Sequence, residues 1–488
     1  MSNNRLWIRN GTVMTGAGPR AAEVLVHGET ITAVLGRDTA ATPRPEGPRA
    51  PGGPPPAPPP DLADFRDAET VDATGLWVLP GGVDAHVHFG MPVRPGVRSL
   101  GWRESSTGAL LGGTTTVIDF ANPDRGESLD AAVDRWLRAA EGECLCDYGL
   151  HVTLADAKPE RLAELPGLVA RGFPTFKAFL AYKGRLMLTP VELERVAVAV
   201  RDAGGRLLVH AEDGEAIAQA EAQHIQTGRT GPEWFPATHP PVTESRAVDL
   251  ALAIAARTRC PLTLVHLSVA DAVERVARAR LDPSRPVGAL AAEACIHHLF
   301  RSASLYRSDR DDALRAILSP PLRSPADGAA LQAGLASGDL DLISSDHCEF
   351  PLALKRQEGL HGFPMVPNGT GGVAERLIVT YTLGVKKGGL TPARWVAACC
   401  ERPAELNGLA GRKGRLAPGH DADIVLFDPA ATGTRLPIGP GDPLARLWTG
   451  AEWCGDVRQV WRRGVAVVKP GVRSVEAGHG EWLARRFG

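Results

Sequence analysis

Residues 77–89, WVLPGGVDAHVHF, run from an apolar stretch into two histidines one residue apart. An apolar run of this length reads as a buried strand. Successive strand side chains point to opposite faces, so His86 and His88 project to the same side. Seven further apolar runs follow: TTTVIDF (114–120), DYGLHVTLA (147–155), FKAFLAY (176–182), RLLVHAE (206–212), LTLVHLS (262–268), VGALAAEAC (287–295) and DLISSDH (341–347). Between them lie amphipathic stretches at helical spacing with Ser, Thr or Asp starts, such as residues 128–143, 189–205 and 244–258. Eight strand–helix alternations predict an α/β fold, a (β/α)8 TIM barrel.

The flanks read differently. Residues 5–36 alternate in short strand-like pieces with Asn-Gly and Gly-Glu turn signals, and the strand pattern returns in GRLAPGHDADIVLFD (414–428) and VRQVWRRGVAVVKPG (457–471). The simplest arrangement pairs both chain ends in one small β-sandwich beside the barrel. This divides the chain into 1–75, the first part of the sandwich; 76–412, the barrel; 413–472, its second part; and 473–488, a tail that packs on the protein itself or on a neighbouring subunit. Residues 37–62 are too rich in proline and glycine to build a core, which predicts a mobile surface loop.

Composition narrows the function. With 54 Lys plus Arg against 56 Asp plus Glu, the chain lacks the basic excess that a phosphate backbone requires, so nucleic acid is not an expected partner. The N-terminus has no charged segment followed by a long apolar one, and no run of roughly 18 apolar residues is present to span a bilayer. These features predict a soluble cytoplasmic protein without membrane partners. The eight cysteines are scattered without zinc-finger or thioredoxin spacing and read mostly as reduced core thiols.

Metal-binding residue types recur where a barrel keeps its active site, at the C-terminal ends of the strands. His86 and His88 follow the first, His210 ends RLLVH, His266 ends LTLVH and Asp346 follows LISS. One histidine after an apolar strand is ordinarily a packed rim residue, but four histidines and an aspartate at one end of different strands predict a metal site. Imidazole and carboxylate favour zinc, with Fe, Mn or Co as alternatives. Lys177, within FKAFLAYKG (176–184), then needs an explanation, because a buried lysine must be neutralised, paired or chemically altered. An ammonium facing two divalent cations would repel them. A neutral amine that captured carbon dioxide would instead become a carbamate able to bridge them, and apolar surroundings favour that amine.

The motifs GGVDAHVHFGMP, GGTTTVIDF, FKAFLAYKG, LLVHAEDG, LVHLS, SPPLR, SDHCEF and VPNGTGGVAERL stand in this order. In combination the chain resembles the cyclic amidohydrolases, most closely the hydantoinases and dihydropyrimidinases, over nearly its whole length outside the proline-rich insertion. The resemblance implies a pair of divalent metal ions. His86, His88, N6-carboxylated Lys177 and Asp346 would hold the more buried one, and Lys177, His210 and His266 the other. It further implies that Asp346 shuttles the proton and that Tyr182 donates to the developing oxyanion. Ser319 and Asn368 would hold the amide or ureide edge of a small cyclic substrate through main-chain groups, in a homotetramer.

Allantoinases and dihydroorotases are the nearest competitors. Dihydroorotases place an arginine directly after His-x-His, where this chain has Phe89, Gly90 and Met91; Arg94, Arg98 and Arg103 in the following loop leave room for an anionic substituent. Tyr182 in AYKG resembles the hydantoinases and dihydropyrimidinases rather than allantoinases. Some relatives are non-catalytic interaction proteins that have lost their ligands, but all six ligand positions are filled here. In EACIHHLF, His297 and His298 stand where the family tends to carry CPQY or CPHY. Read as adjacent strand residues, at most one of them faces the mouth, and both are expected in packing or solvent contacts rather than as ligands.

Overall fold

The structure, a computed structural model, describes residues 5–36, 62–434 and 444–487, apart from 125, 285, 287, 472, 473, 476 and 477. The stretch 37–62, expected as a mobile loop, lies outside the described residues except for Leu62, which opens a helical turn, Leu62–Phe65.

Eight parallel strands form the barrel: β1 (Gly82–Asp84), β2 (Thr114–Ala121), β3 (Asp147–Thr153), β4 (Thr175–Phe179), β5 (Arg206–His210), β6 (Leu262–Leu267), β7 (Leu290–Cys295) and β8 (Leu342–Ser344). Each hydrogen-bonds to the next in chain order. Closure occurs just beyond the ends of β1 and β8, where Val87 pairs with His347 and the His88 N–H donates to the His347 carbonyl at 2.7 Å. The strands are buried on both faces, as a parallel sheet wrapped by helices requires. The three helical stretches read from the sequence form helices Leu129–Ala140, Pro190–Asp202 and Pro241–Thr258. Thr189 and Glu192 cap the second reciprocally, which satisfies amide groups that a helix start otherwise leaves open.

Strands from both ends of the chain form the second unit, a mixed nine-stranded arrangement. Trp77–Pro80 lies at its centre, parallel to Thr12–Thr15 on one side and antiparallel to Ile424–Thr434 on the other. Leu6, Ile8, Val24 and Ile31 from the N-terminal strands share one apolar core with Ile424, Leu426 and Trp461. The fold is therefore a (β/α)8 barrel with a small β-sandwich built from the two termini.

One strand reading is corrected. Residues 77–89 are not a single barrel strand, since Trp77–Pro80 belongs to the sandwich and only Gly82–Asp84 to the barrel. The chain changes sheets at the Gly81-Gly82 pair, where there is no room for a side chain. A Cβ on Gly81 would fall 2.1 Å from the Thr115 hydroxyl, and one on Gly82 would lie 3.1 Å from the Gly113 carbonyl. We propose the division at 75/76, 412/413 and 472/473, with the exception that Trp77–Pro80, which follows the first boundary, pairs in the sandwich.

The sandwich is joined to the N-terminal ends of the barrel strands by a buried ionic cluster. Lys413 Nζ lies 2.6 Å from Asp147 at the start of β3, 2.8 Å from Asp421 and 2.9 Å from Asp423. Arg463 reaches Asp147 at 3.2 Å, and the Thr115 hydroxyl donates to Asp423 at 2.8 Å. The tail packs on the barrel of its own chain. Trp482 pairs with Tyr148, Leu483 is buried, and the Arg485 guanidinium donates to Thr175 Oγ1 at 2.8 Å. Seven cysteines are buried and Cys454 is half-buried, none of them in a disulfide. Among the described residues no helix is long and apolar enough to cross a membrane.

Candidate active site

A cavity of about 1040 Å³ opens at the C-terminal ends of the strands, and its wall includes His86, His88, Lys177, Tyr182, His210, His266, Ser319, Asp346 and Asn368. The residues singled out from the sequence thus line one space, although they span 283 positions from 86 to 368. His86 and His88 sit past the end of β1 rather than on it, held extended by the Val87–His347 pairing. Their Nε2 atoms lie 3.3 and 3.2 Å from the same oxygen, Asp346 Oδ1. The ligand atoms of these three residues fall within 4.8 Å of one another.

Each ring is aimed by a group behind it. Glu293 on β7 brings Oε1 to 2.8 Å from His86 Nδ1, and the same oxygen accepts the His266 backbone N–H at 3.0 Å. A carboxylate on Nδ1 fixes the ring and leaves Nε2 facing inward. His210 is held the other way round, with Nε2 at 2.8 Å from Glu212 Oε2, so its Nδ1 is the nitrogen left for a ligand. The ring centres of His210 and His266 are 4.5 Å apart, and those of His86 and His266 are 5.5 Å apart.

Backbone strain collects here. Tyr182, His266 and Asp346 have φ of 64°, 39° and 47°, a region that non-glycine residues rarely occupy and that costs about 1–3 kcal/mol each. Packing that tolerates three such residues around one cavity is consistent with side chains held where chemistry, rather than stability, requires them.

Lys177 is 1% exposed. Among the described residues its Nζ makes no hydrogen bond or ion pair and lies 5.0 Å from the Phe120 ring centre and 4.9 Å from that of Phe179. Burial lowers its pKa to about 8, with Asp346 and Glu293 opposing the shift. Burial also holds His88, His210 and His266 below the usual histidine range, so their lone pairs are available. For Asp346 burial favours the acid, but His86 and His88 outweigh it and hold the carboxyl well below its ordinary range. Burial raises the Tyr182 hydroxyl far above its ordinary pKa and so keeps it protonated as a donor. This donor set fits divalent ions: imidazoles and one carboxylate converge at the strand ends, while among the described residues His88 Nδ1 and the Lys177 amine have no hydrogen-bond partner.

Ser319 and Asn368 meet on the cavity wall, with Asn368 Nδ2 donating to Ser319 Oγ at 3.1 Å. Lys355 holds the two segments together from below: its buried Nζ donates to the carbonyls of Leu314 and Ile317, each at 3.2 Å, and of Gly369 at 2.6 Å. Of the three loop arginines, only Arg94 lines the cavity, and it is paired with Glu358 at 2.7 Å. Arg103 pairs with Glu143 at 2.9 Å, away from the cavity.

His297 and His298 belong to a short helix, Ile296–Phe300, not to a strand as expected, because β7 ends at Cys295. Both are buried. His297 lines the cavity, whereas His298 turns to the Pro320 carbonyl at 2.8 Å. Sequence reasoning missed Glu293, Glu212 and Lys355. The signal for Glu293 was a carboxylate inside the apolar run LAAEAC; Glu212, two residues after His210, shares its strand face.

Residues 77–467 match the profile of the Amidohydrolase family. The chain is 33% identical to a D-hydantoinase of Streptomyces coelicolor over 99% of its own length and 98% of the relative's. It is 32% identical to the dihydropyrimidinase of Rattus norvegicus, over 99% and 89%. A crystal structure of the dihydropyrimidinase from Brevibacillus agri superposes with a TM-score of 0.88 at 32% identity, covering 99% of each chain.

Proposed function

The chain belongs to the amidohydrolase family, in the branch of the hydantoinases and dihydropyrimidinases, and we propose that its barrel mouth hydrolyses the ring amide of hydantoins or dihydropyrimidines to N-carbamoyl amino acids. The enzyme is a cyclic amide hydrolase that uses divalent metal. One observation carries the reading: four histidines, an aspartate and a buried lysine without a hydrogen-bond or ion-pair partner among the described residues converge on a single cavity that Ser319 and Asn368 also line.

His86, His88, Lys177 and Asp346 would hold one ion, and Lys177, His210 and His266 a second, with zinc favoured by the ligand types. Lys177 would serve as its N6-carboxylate, formed when the free amine adds carbon dioxide and releases a proton. Among the described residues Nζ has no hydrogen-bond or ion-pair partner, and this and its two aromatic neighbours support that form. When bound, the ions supply Lewis acidity, which lowers the pKa of a water and polarises the scissile carbonyl.

The chain's own residues do the rest. Asp346 takes the proton of the attacking water as its oxygen bonds to the ring carbonyl carbon, and gives that proton to the ring nitrogen as the C–N bond breaks. Tyr182, kept protonated by burial, donates to the developing oxyanion, an interaction worth about 3–4 kcal/mol per donor. Ser319 and Asn368 orient the ring's polar edge, and Lys355 fixes the segments that carry them. A homotetramer and a cytoplasmic location complete the proposal, both on family likeness alone.

Metal-replete protein should open hydantoin or 5,6-dihydrouracil with release of a carbamoyl product. Turnover confined to allantoin or dihydroorotate would overturn the substrate assignment. The arginine that would favour an anionic substituent, Arg94, is occupied by Glu358, which supports the neutral ring.

A further inference from the structure

His297 is a cavity-wall group that this reaction leaves without a task, and both its ring nitrogens are buried. Its side chain is 1% exposed, and among the described residues neither Nδ1 nor Nε2 has a hydrogen-bond partner. Leaving a buried donor or acceptor unpaired costs about 1–3 kcal/mol, so the arrangement is a poor one for stability alone. The ring cannot relax by swinging away. It packs against the His298 ring with centres 4.2 Å apart, and His298 is itself anchored to the Pro320 carbonyl, next to Ser319.

A neutral imidazole presents one N–H donor and one lone-pair acceptor. A cyclic amide or ureide presents the complementary pair, a carbonyl oxygen and a ring N–H. We propose that His297 is a substrate-contacting residue that hydrogen-bonds the bound ring and thereby helps select which cyclic ureides are opened. This rests on the ring-hydrolysis reading above and adds to it a polar contact from the short helix that follows β7, beside those assigned to Ser319 and Asn368.

A metal site is the competing use of this imidazole, since the ligand atoms of Cys295, His297 and His298 also lie within 4.8 Å of one another. The cavity disfavours it. Of the three only His297 lines the open space, and Cys295 Sγ is already engaged by Ser344 Oγ at 3.4 Å.

The test compares wild type, His297→Leu and His297→Gln, each loaded with zinc, on hydantoin, 5,6-dihydrouracil, allantoin and dihydroorotate, with melting temperature and bound zinc measured alongside. The expected result for His297→Leu is a roughly 10- to 100-fold fall in kcat/KM on the preferred ring, carried mainly by KM. Its melting temperature should be equal or higher and its zinc content unchanged, and His297→Gln should recover part of the loss. A structural role predicts the opposite, a lowered melting temperature with kcat/KM intact, and would overturn the proposal. A fall in bound zinc in His297→Leu would overturn it in favour of the metal site. Wild-type turnover with an indifferent His297→Leu would sink this inference alone. Wild-type inactivity on all four rings would sink the functional reading and this inference with it.

Discussion

Two buried lysines at opposite ends of the barrel have opposite surroundings. Lys413, at the N-terminal ends of the strands, touches three aspartates and is held above the ordinary lysine range, their charges outweighing the effect of burial. Lys177, in the middle of β4 and facing the mouth at the other end, touches no carboxylate and is pushed down by burial to about 8. The first is part of a closed network that joins the sandwich to the barrel. The second is an amine kept reactive by having no partner. A barrel can hold both because its two ends are separate environments, one facing the packed sandwich and the other a cavity.

The sharpest way to break this contrast is to remove each ammonium without changing its volume much. Lys413→Met leaves three aspartates buried without their common partner and should destabilise the fold by about 3–5 kcal/mol, read from urea unfolding. Lys177→Met removes an unpaired charge and should leave metal-free stability equal or higher. If both variants lost stability alike, the two ends would not differ in the way described.

Activity should reverse the ranking. Lys177→Ala is expected to lose at least the 10²- to 10³-fold in kcat typical of removing a single preorganised stabilising group, about 3–4 kcal/mol. Short carboxylic acids added to this variant should restore part of the rate by supplying the missing carboxylate. Full activity without added acid would remove the bridging role.

The smallest effect lies in pH dependence, and the two lysines should differ in sign. In metal-free protein Lys177 titrates near 8 when folded and near its ordinary 10.5 when unfolded, so between those values the unfolded chain holds more protons and stability rises with pH. Lys413 is raised instead, so its contribution is complete below about 10.5 and is lost as pH climbs past that value. Unfolding curves for the two Met variants against wild type, from pH 7 to 11, should show these slopes disappear one at a time. A common slope would mean that one environment governs both.

Much of the site was legible because its signals are local. Apolar runs separated by helical stretches marked the barrel strands, and the ligand types stood at their ends, where a barrel gathers them. The failures were equally specific. WVLPGGVDAHVHF reads as one strand because nothing in its pattern shows that Gly81 and Gly82 pass so close to Thr115 and Gly113 that the chain changes sheets there. His297 and His298 read as strand residues because the end of β7 at Cys295 is set by its pairing with β8.

The sequence alone determined where the strands lie, that metal-binding side chains cluster at one end of them, and that Lys177 is out of place in an apolar run. Tertiary structure alone decided what each buried charge meets: Glu293 beneath His86, 207 residues away; Lys413 among three aspartates; Lys177 among none. The physical reason is one of range. Strand and helix periodicity follows from neighbours along the chain, whereas a side chain's solvation and partners come from residues brought close only when the barrel closes, and these set its charge and its chemistry.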